Sequence, residues 1–409
     1  MAAEVRAVRD DAEFAASVHA VGTAFLERPS DDFIAWRASH GDLDRVLIAL
    51  DDGIVCGTAR SFPTPLTMPG GQTVAMGAVS AVGVLPTHRR RGHLSRLMDL
   101  QLGDIAERGE PIAGLIAAEW PIYGRYGYGP AVAAATYEVD TRLASFIESS
   151  WHGTVELVDL ATLRQVAPPV FDACRVATPG SIGRNDSWWD SVLGVTPEPT
   201  WKDDPKRFRA LHRDASGAID GYVTYSAKGT WEQAMPAGTL HVGELFAQTP
   251  DAYADLWRFL SEIDWTVSVK ASPRPVDEPL QLLLHDGRAM QQTHRGDHIW
   301  LRVLDIAAVL TARAYRTSGR VVLDVVDDAL GHGGRFALDA SPDGATCTPT
   351  DALPDLTMPI ATLGAACVGG TPLTLLAAAG LVDEHSPAAV VTAGALLSWS
   401  PAPYCSTNF

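Results

Sequence analysis

The sequence is short of basic charge. Its 409 residues carry 32 lysines and arginines against 49 aspartates and glutamates, a formal charge of −17, so the molecule repels nucleic-acid phosphates and anionic membranes unless basic residues cluster locally. A general nucleic-acid binder is excluded. Cysteine is also sparse: Cys56, Cys174, Cys347, Cys367 and Cys405 are odd in number and never form a C-x-x-C pair. They predict no disulfide framework and read as buried thiols in a reducing compartment. Long apolar runs are missing too. Residues 1–11 are charged and hold no apolar core of signal length, and the most apolar later stretch, 361–380, is cut by Gly364, Gly369, Gly370 and Pro372. No export signal or membrane span is expected, and the reading is cytoplasmic.

What remains is an ordinary soluble composition, 46% hydrophobic and 20% charged, long enough for two to three domains of about 150 residues. Phe14, Val18, Val21 and Phe25 form an apolar stripe that predicts a helix behind the capping candidates Asp10 and Asp11. Three short apolar runs follow, 45–49, 53–61 and 73–85, separated by Asp51-Asp52-Gly53 and Pro69-Gly70-Gly71. That is the punctuation of antiparallel strands. Helical spacing returns at Leu94, Leu97, Met98, Leu102 and Ile105, and 111–118 reads as a buried strand.

A weak repeat links the middle of the chain to its start: GIVCG at 53–57 and VGVL at 82–85 resemble GAIDG at 217–221 and VGEL at 242–245, the latter before a predicted helix over 253–263. The middle third is therefore expected to be a second copy of the first fold. It lacks the arginines, since 247–253 reads AQTPDAY. In the last third, 320–326 and 335–339 flank GHGG at 331–334 as a hairpin would, and the 54 residues from Leu356 hold only Asp383 and Glu384 as charged side chains. Such a stretch should pack, together with the chain end. Domains are drawn at 1–145, 146–295 and 296–409.

The strongest local signal is VGVLPTHRRRGHLS at 82–95, a strand that runs into a basic, glycine-containing turn and then a helix. Backbone N–H groups at a helix start, ringed by Arg89, Arg90 and Arg91, suit a pyrophosphate. Neither G-x-x-x-x-G-K-[ST] nor G-x-G-x-x-G occurs, which excludes a P-loop and a dinucleotide fingerprint. The competing reading is a solvated arginine cluster that caps a helix.

This run resembles the acetyl-coenzyme A motif of the GNAT N-acetyltransferases, with Leu94 standing where the pattern usually has Gly or Ala. IYGRYGYGP at 122–130 and the terminal APYCSTNF at 402–409 resemble the enhanced intracellular survival (Eis) family, and the likeness in length and layout extends over nearly the whole chain. It implies an α/β (α+β) chain of two GNAT-like domains, the second degenerate, followed by a sterol-carrier-protein-like domain, in a homo-oligomer that is a trimer or hexamer. It implies acetyl-CoA as co-substrate, held by Val82, Gly83, Val84, Arg89, Arg90, Arg91, Gly92, His93, Leu94, Ser95, Ala118 and Glu119. By the same resemblance Tyr123 is the proton donor and the C-terminal carboxylate of Phe409 the proton acceptor. Trp120, Pro121 and Asn408 depart from the family pattern and bear on substrate range.

The chemistry asks for such groups in any case, because an amine that attacks a thioester loses a proton and the departing thiolate gains one. The acid excess suits a small cationic amine, and the resemblance suggests an aminoglycoside-like one. Two alternatives stay open: acetylation of a protein lysine, and a non-catalytic protein whose C-terminal domain binds an apolar ligand. No metal is expected. His294 and His298 are spaced to share a helix face but have no third ligand, and neither H-E-x-x-H nor G-x-S-x-G occurs. Trp188 and Trp189 read as core or interface rings.

Overall fold

Asp10 starts the first helix. Its carboxylate accepts from the Glu13 N–H at 2.9 Å, and α1 (Asp11–Ala24) buries Phe14 and Val18 of the expected stripe. The structure, a computed structural model, describes residues 4–39, 43–148, 150–195 and 207–409. A strand precedes α1 and a helix follows it, β1 (Glu4–Ala7) and α2 (Asp31–Ser39). Neither is expected from the sequence, because four residues hold no period and α2 buries no side chain fully.

Then come β2 (Val46–Asp51), β3 (Ile54–Thr67), β4 (Thr73–Val84), α3 (His93–Glu107), β5 (Ile112–Ile116), the single turn α4 (Trp120–Tyr123) and β6 (Gly129–Asp140). The first three pair antiparallel, as the apolar runs imply, whereas β5 lies parallel to β4. That parallel pairing covers only Met76 to Ala78 against Ile112 to Gly114. Beyond it the strands part, and the gap positions the site.

The middle third repeats the order. β7 (Gly153–Leu157), α5 (Leu160–Val176) and α6 (Asp186–Leu193) lead to β8 (Arg207–Asp214), β9 (Ile219–Lys228), the small hairpin β10 (Trp231–Glu232) and β11 (Met235–Pro236), β12 (Gly238–Ala247), α7 (Pro250–Ser261) and β13 (Thr266–Arg274). Again two antiparallel pairings precede a helix and a strand parallel to the third. The two glycine turns matched in the sequence sit at equivalent places, β2–β3 and β8–β9.

The next strand, β14 (Met290–Val303), inserts between β5 and β6, antiparallel to both. One sheet therefore runs β1-β2-β3-β4-β5-β14-β6-β13-β12-β9-β8-β7. Position 295, drawn as the end of the second domain, falls inside β14. His294 and His298 also lie on it, so they share a strand and not the helix face that their spacing suggested.

The last third stacks on this sheet. α8 (Ile306–Ala312), β15 (Gly319–Val326), β16 (Gly334–Ser341), β17 (Gly344–Pro349), β18 (Leu356–Pro359), α9 (Ile360–Ala366), α10 (Leu373–Ala378), β19 (Asp383–Glu384) and α11 (Ala389–Leu397) follow in order. Their strands form a second sheet, β17-β16-β15-β18-β19, with β15–β16 as the expected hairpin. A single apolar core joins Met76, Ile112 and Leu301 of the long sheet to Leu323, Leu363 and Leu396. All five cysteines are free thiols. Among the described residues no helix is long and apolar enough to cross a membrane.

Glycine lets these layers touch backbone to backbone. A Cβ on Gly129 would lie 1.9 Å from the Ala361 carbonyl oxygen, and one on Gly364 would lie 2.3 Å from that of Leu301. Gly129→Ala should therefore destabilise by about 1–3 kcal/mol or more through overpacking. Gly103→Ala, in α3 with open space around the new methyl, should instead stabilise by about 0.4–1 kcal/mol. Urea unfolding of both variants checks the pair, and equal midpoints would contradict the close contact of the layers.

Candidate active site

The gap between β4 and β5 holds a cleft of about 640 Å³. A bulge shapes its edge: Ala81 and Val82 together stand opposite Ala59, because Ser80 pairs with Arg60 and Gly83 with Thr58. Ala81 takes the left-handed conformation, φ 52°, which is uncommon for a residue with a Cβ. Val82, Gly83 and Val84 line the cleft, and β5 does not pair with them. That edge of β4 is open to an extended ligand, which can pair with it as a strand would.

The chain then enters the basic turn. Arg90 (φ 64°) and Gly92 (φ 82°) are both left-handed, and α3 begins with no side-chain cap and no acidic residue in its first turn. Its leading N–H groups are left for a ligand. Arg89, Arg90, Gly92, His93, Leu94 and Ser95 line the cleft. Arg91 does not: set between the two left-handed residues, it reaches Asp51 at 2.9 Å and the Thr87 carbonyl at 3.2 Å. Burial pushes the His93 imidazole below the ordinary histidine range, against the pull of Asp51, so the ring is neutral at pH 7.

Residues after β5 build the far wall, among them Ala118, Glu119, Ile122, Tyr123 and Tyr126. Tyr123 is 7% exposed and lies edge-on to Tyr128, with ring centroids 6.1 Å apart. Among the described residues its hydroxyl has no hydrogen-bond partner in the protein. Burial, followed by the charge of Glu119 and the neighbouring Tyr126, pushes the phenol up to about 12. Tyr126 is engaged differently, its hydroxyl 3.2 Å from Ser95 Oγ.

Tyr123 also lines a smaller chamber of about 240 Å³ at the bulge, with Ala81, Val82, Leu115 and Phe409. Beyond it a pocket of about 470 Å³ opens between α1, α2 and the sheet, again with Phe409 in its wall. Phe25 lines all three spaces, which makes them neighbours. Sequence reasoning missed Phe25, His88 and Arg125 as lining residues: Phe25 and Arg125 stand outside the loop motif at 82–95, and His88 stands in it but before the arginines on which the anion argument rests.

Phe409 reaches this chamber because the tail before it is held by the second copy. Tyr404 N–H donates to the Pro179 carbonyl at 2.9 Å, the Ser181 hydroxyl to the Tyr404 carbonyl at 2.8 Å, and the Tyr404 hydroxyl to the Pro273 carbonyl at 2.7 Å. Arg184 then clamps the last turn, donating from Nε to Thr407 Oγ1 at 2.9 Å and from Nη2 to Ser406 Oγ at 3.1 Å and Glu244 Oε1 at 2.6 Å. Its guanidinium lies 4.3 Å from the Phe171 ring centroid. The Phe409 ring meets Phe62 edge-on at 5.6 Å, and Phe62 packs on Trp188. Trp189 is buried against Phe171, so both tryptophans pack as read.

The second copy keeps a cleft at the matching place, about 360 Å³, lined by Leu245, Phe246, Ala247, Tyr253, Arg274 and Glu278. Its interior is committed to a buried pair, Arg274 Nε to Glu278 Oε2 at 2.9 Å, with the Tyr253 hydroxyl also donating to Glu278. The turn before α7 has no arginine. Pro401, Ala402 and Tyr404 of the tail complete the lining.

Residues 4–131 and 180–303 each match an acetyltransferase (GNAT) domain family, and 306–406 match the sterol carrier protein domain family. Fold and cleft thus define a GNAT acetyltransferase with a C-terminal sterol-carrier-type domain. An uncharacterized N-acetyltransferase of Streptomyces griseus is 39% identical over 417 residues, covering 100% of both chains. N-acetyltransferase Eis of Mycobacterium tuberculosis is 35% identical over 333 residues, 80% of this chain and 78% of its own. The crystal structure of Eis1 from Mycobacterium abscessus superposes with a TM-score of 0.86 at 34% identity, over 99% of this chain and 100% of that one. The chain belongs to the Eis family of N-acetyltransferases.

GNAT domains imply use of acetyl-CoA, and the cleft offers what that molecule asks for: an open strand edge for its amide-bearing arm, and free helix N–H groups with Arg89 and Arg90 for its pyrophosphate. Arg89→Ala with Arg90→Ala should weaken acetyl-CoA binding by about ten- to a hundredfold, since charge-assisted phosphate contacts are worth about 1.5–3 kcal/mol each when desolvated and less when exposed. Asp251→Ala at the matching turn of the second copy should leave affinity unchanged. Calorimetric titration decides, and full affinity in a folded double variant would remove the loop from the binding site.

Proposed function

We propose that this chain transfers the acetyl group of acetyl-CoA to the amine of a small molecule, with Tyr123 as proton donor and the C-terminal carboxylate of Phe409 as proton acceptor. What carries the reading is that Tyr123 and Phe409 line one chamber, between the cleft and the second pocket. Acetyl-CoA supplies a thioester whose carbonyl carbon bonds to the amine nitrogen as the C–S bond breaks and sulfur leaves as thiolate. Val82 to Val84, Arg89, Arg90, Gly92 to Ser95, Ala118 and Glu119 hold the donor in this reading; Arg91, turned to Asp51, supports the loop from outside.

The protein's own work concerns two protons. A thiolate has a conjugate acid near 8.5, judged from a cysteine side chain, and Tyr123 keeps a proton to give because its phenol sits at about 12. An α-carboxylate near 3.5 is a weak base towards an ammonium several units higher. The amine must be loosened from its proton first, and the second pocket supplies a cause, desolvation by Phe14, Val18, Val21, Phe25 and Phe33. An aminoglycoside-like acceptor rests on family resemblance and on the net charge of the whole chain. The pocket itself is lined by Glu27, Arg37 and Arg60 beside those apolar side chains.

Tyr123→Phe should lower kcat by about 10²- to 10⁴-fold with acetyl-CoA affinity retained. If Tyr126→Phe stops turnover and Tyr123→Phe does not, the donor is misassigned. The raised phenol also fixes a sign: the proton-bearing form persists below about 12 and is lost only above it, so kcat should show no alkaline fall from Tyr123 between about pH 8 and about pH 10. A pH–rate profile with such a fall, present in the wild type and absent in Tyr123→Phe, would contradict this.

A further inference from the structure

We infer that Arg184, braced by Glu244, is a positioning residue for acetyl transfer: the reaction centre of the second copy is rebuilt into a clamp that sets where the terminal carboxylate stands in the first. The inference rests on the proton-acceptor reading of Phe409 above. Strand register shows what is rebuilt. Gly57 pairs with Val84 in the first copy and Gly221 with Ala247 in the second, so Glu244, three residues before Ala247, takes the place of Ala81, three before Val84. Both strands are irregular there, and Gly243 is the unpaired residue of β12. Ala81 lines the chamber of Tyr123 and Phe409. At the matching point of the second copy stands a carboxylate.

That carboxylate is committed to the clamp. It accepts from Arg184 Nη2 at 2.6 Å and from the Tyr222 hydroxyl at 3.1 Å, and the side chains of Arg184 and Glu244 are 1% and 10% exposed. The Phe171 and Trp189 ring centroids lie 4.3 Å and 4.9 Å from the guanidinium, which fixes its plane. A planar fork held in this way donates in set directions. Its other acceptors are Thr407 Oγ1 at 2.9 Å and Ser406 Oγ at 3.1 Å, two and three residues before the chain end.

The main chain of the clamp is tied to the first domain. Gly183 N–H donates to the Pro65 carbonyl at 3.0 Å, the Thr64 hydroxyl to the Gly183 carbonyl at 3.1 Å, and Thr67 N–H to the Ser181 carbonyl at 2.8 Å. All three partners lie on β3, the strand that also carries Phe62, on which the Phe409 ring rests. One residue therefore spans from the wall of the first domain to the tail. Neither Arg184 nor Glu244 lines the cleft, the chamber or the pocket beyond it, so their effect on turnover passes through the tail.

The test is a double-mutant cycle on the untagged full chain. Turnover is read as thiol release from acetyl-CoA, with whichever of kanamycin, spermidine and 2-phenylethylamine the wild type acetylates fastest. Arg184→Lys keeps a cation beside Glu244 but loses the fork, and should lower kcat by about tenfold or more with acetyl-CoA affinity unchanged by calorimetry, since misplacement of about 1 Å can cost about 10²-fold. In protein with a Gly-Ser extension after Phe409, where the carboxylate is already displaced, the same substitution should lower kcat by less than about twofold further, because two changes that act through one group do not add. Thr407→Val removes the Nε acceptor and replaces Arg184→Lys in the cycle if that variant does not fold. Full kcat in a folded clamp variant overturns the inference, and so does an equal loss in both backgrounds, which marks a structural role apart from the tail. An extension that leaves kcat unchanged overturns the proton-acceptor reading and the inference with it, and wild type that acetylates none of the three amines does the same to the transfer reading.

Discussion

Everything else in the molecule hangs on where β14 goes. Had it stayed beside its own copy, the chain would be two acetyltransferase folds in tandem. Instead it pairs with β5 on one side and β6 on the other, which welds both copies into one sheet and fixes the starting point of the C-terminal domain three residues later. Arg302 of β14 holds the buried carboxylate of Asp327 at 2.6 Å, and the glycines at 129 and 364 seat α9 directly on the β6–β14 pair. A buried pair of this kind is strongly destabilising to break, by about 3–5 kcal/mol, since it leaves a lone charge inside. The third domain is thereby held in one orientation towards the first, and the path of the tail is set.

The two copies have divided their work. The first keeps the parted strands, the bulge at Ala81, the arginine turn and Tyr123 around two adjoining spaces. In the second, the same topology yields a cleft committed to Arg274, Glu278 and Tyr253, and the surface beside it carries the tail. Chain ends fray unless something holds them. Here Arg184, braced by Glu244 and by the Phe171 ring, holds Ser406 and Thr407. The degenerate copy acts, in this account, as the anchor that lets a terminal residue stand in an active site.

Local features were legible in the sequence, and distant ones were not. The stripe of α1, the runs of β2 to β4, the loop at 82–95 and the uncharged C-terminal stretch each carry their signal within a few turns or strands, and each took the expected form except that Phe25 of the stripe falls past the end of α1 and is exposed. β1 and α2 escaped because four residues and an unburied helix leave no period to read. The exchange of β14 escaped for a different reason: pairing partners 150 or more positions apart have no local mark, and the spacing of His294 and His298 suits a strand as well as a helix. Arg91 shows the limit within a motif, since a guanidinium between two left-handed residues turns to Asp51 rather than into the cleft. Arg184 reads as nothing in isolation, because the tail residues it holds, Ser406 and Thr407, lie more than 220 positions away.

The central claim is that the carboxylate of Phe409 works inside the site of the same chain's first domain. Its most direct test compares the untagged protein with one that carries a short Gly-Ser extension after Phe409, both checked for unfolding midpoint and acetyl-CoA affinity. The account predicts unchanged folding and donor binding, with turnover reduced by about 10²-fold or more because the acid group is displaced along the chain. Equal turnover on the same amine would contradict it and leave Glu119, exposed at the cleft wall, or a bound water as the base.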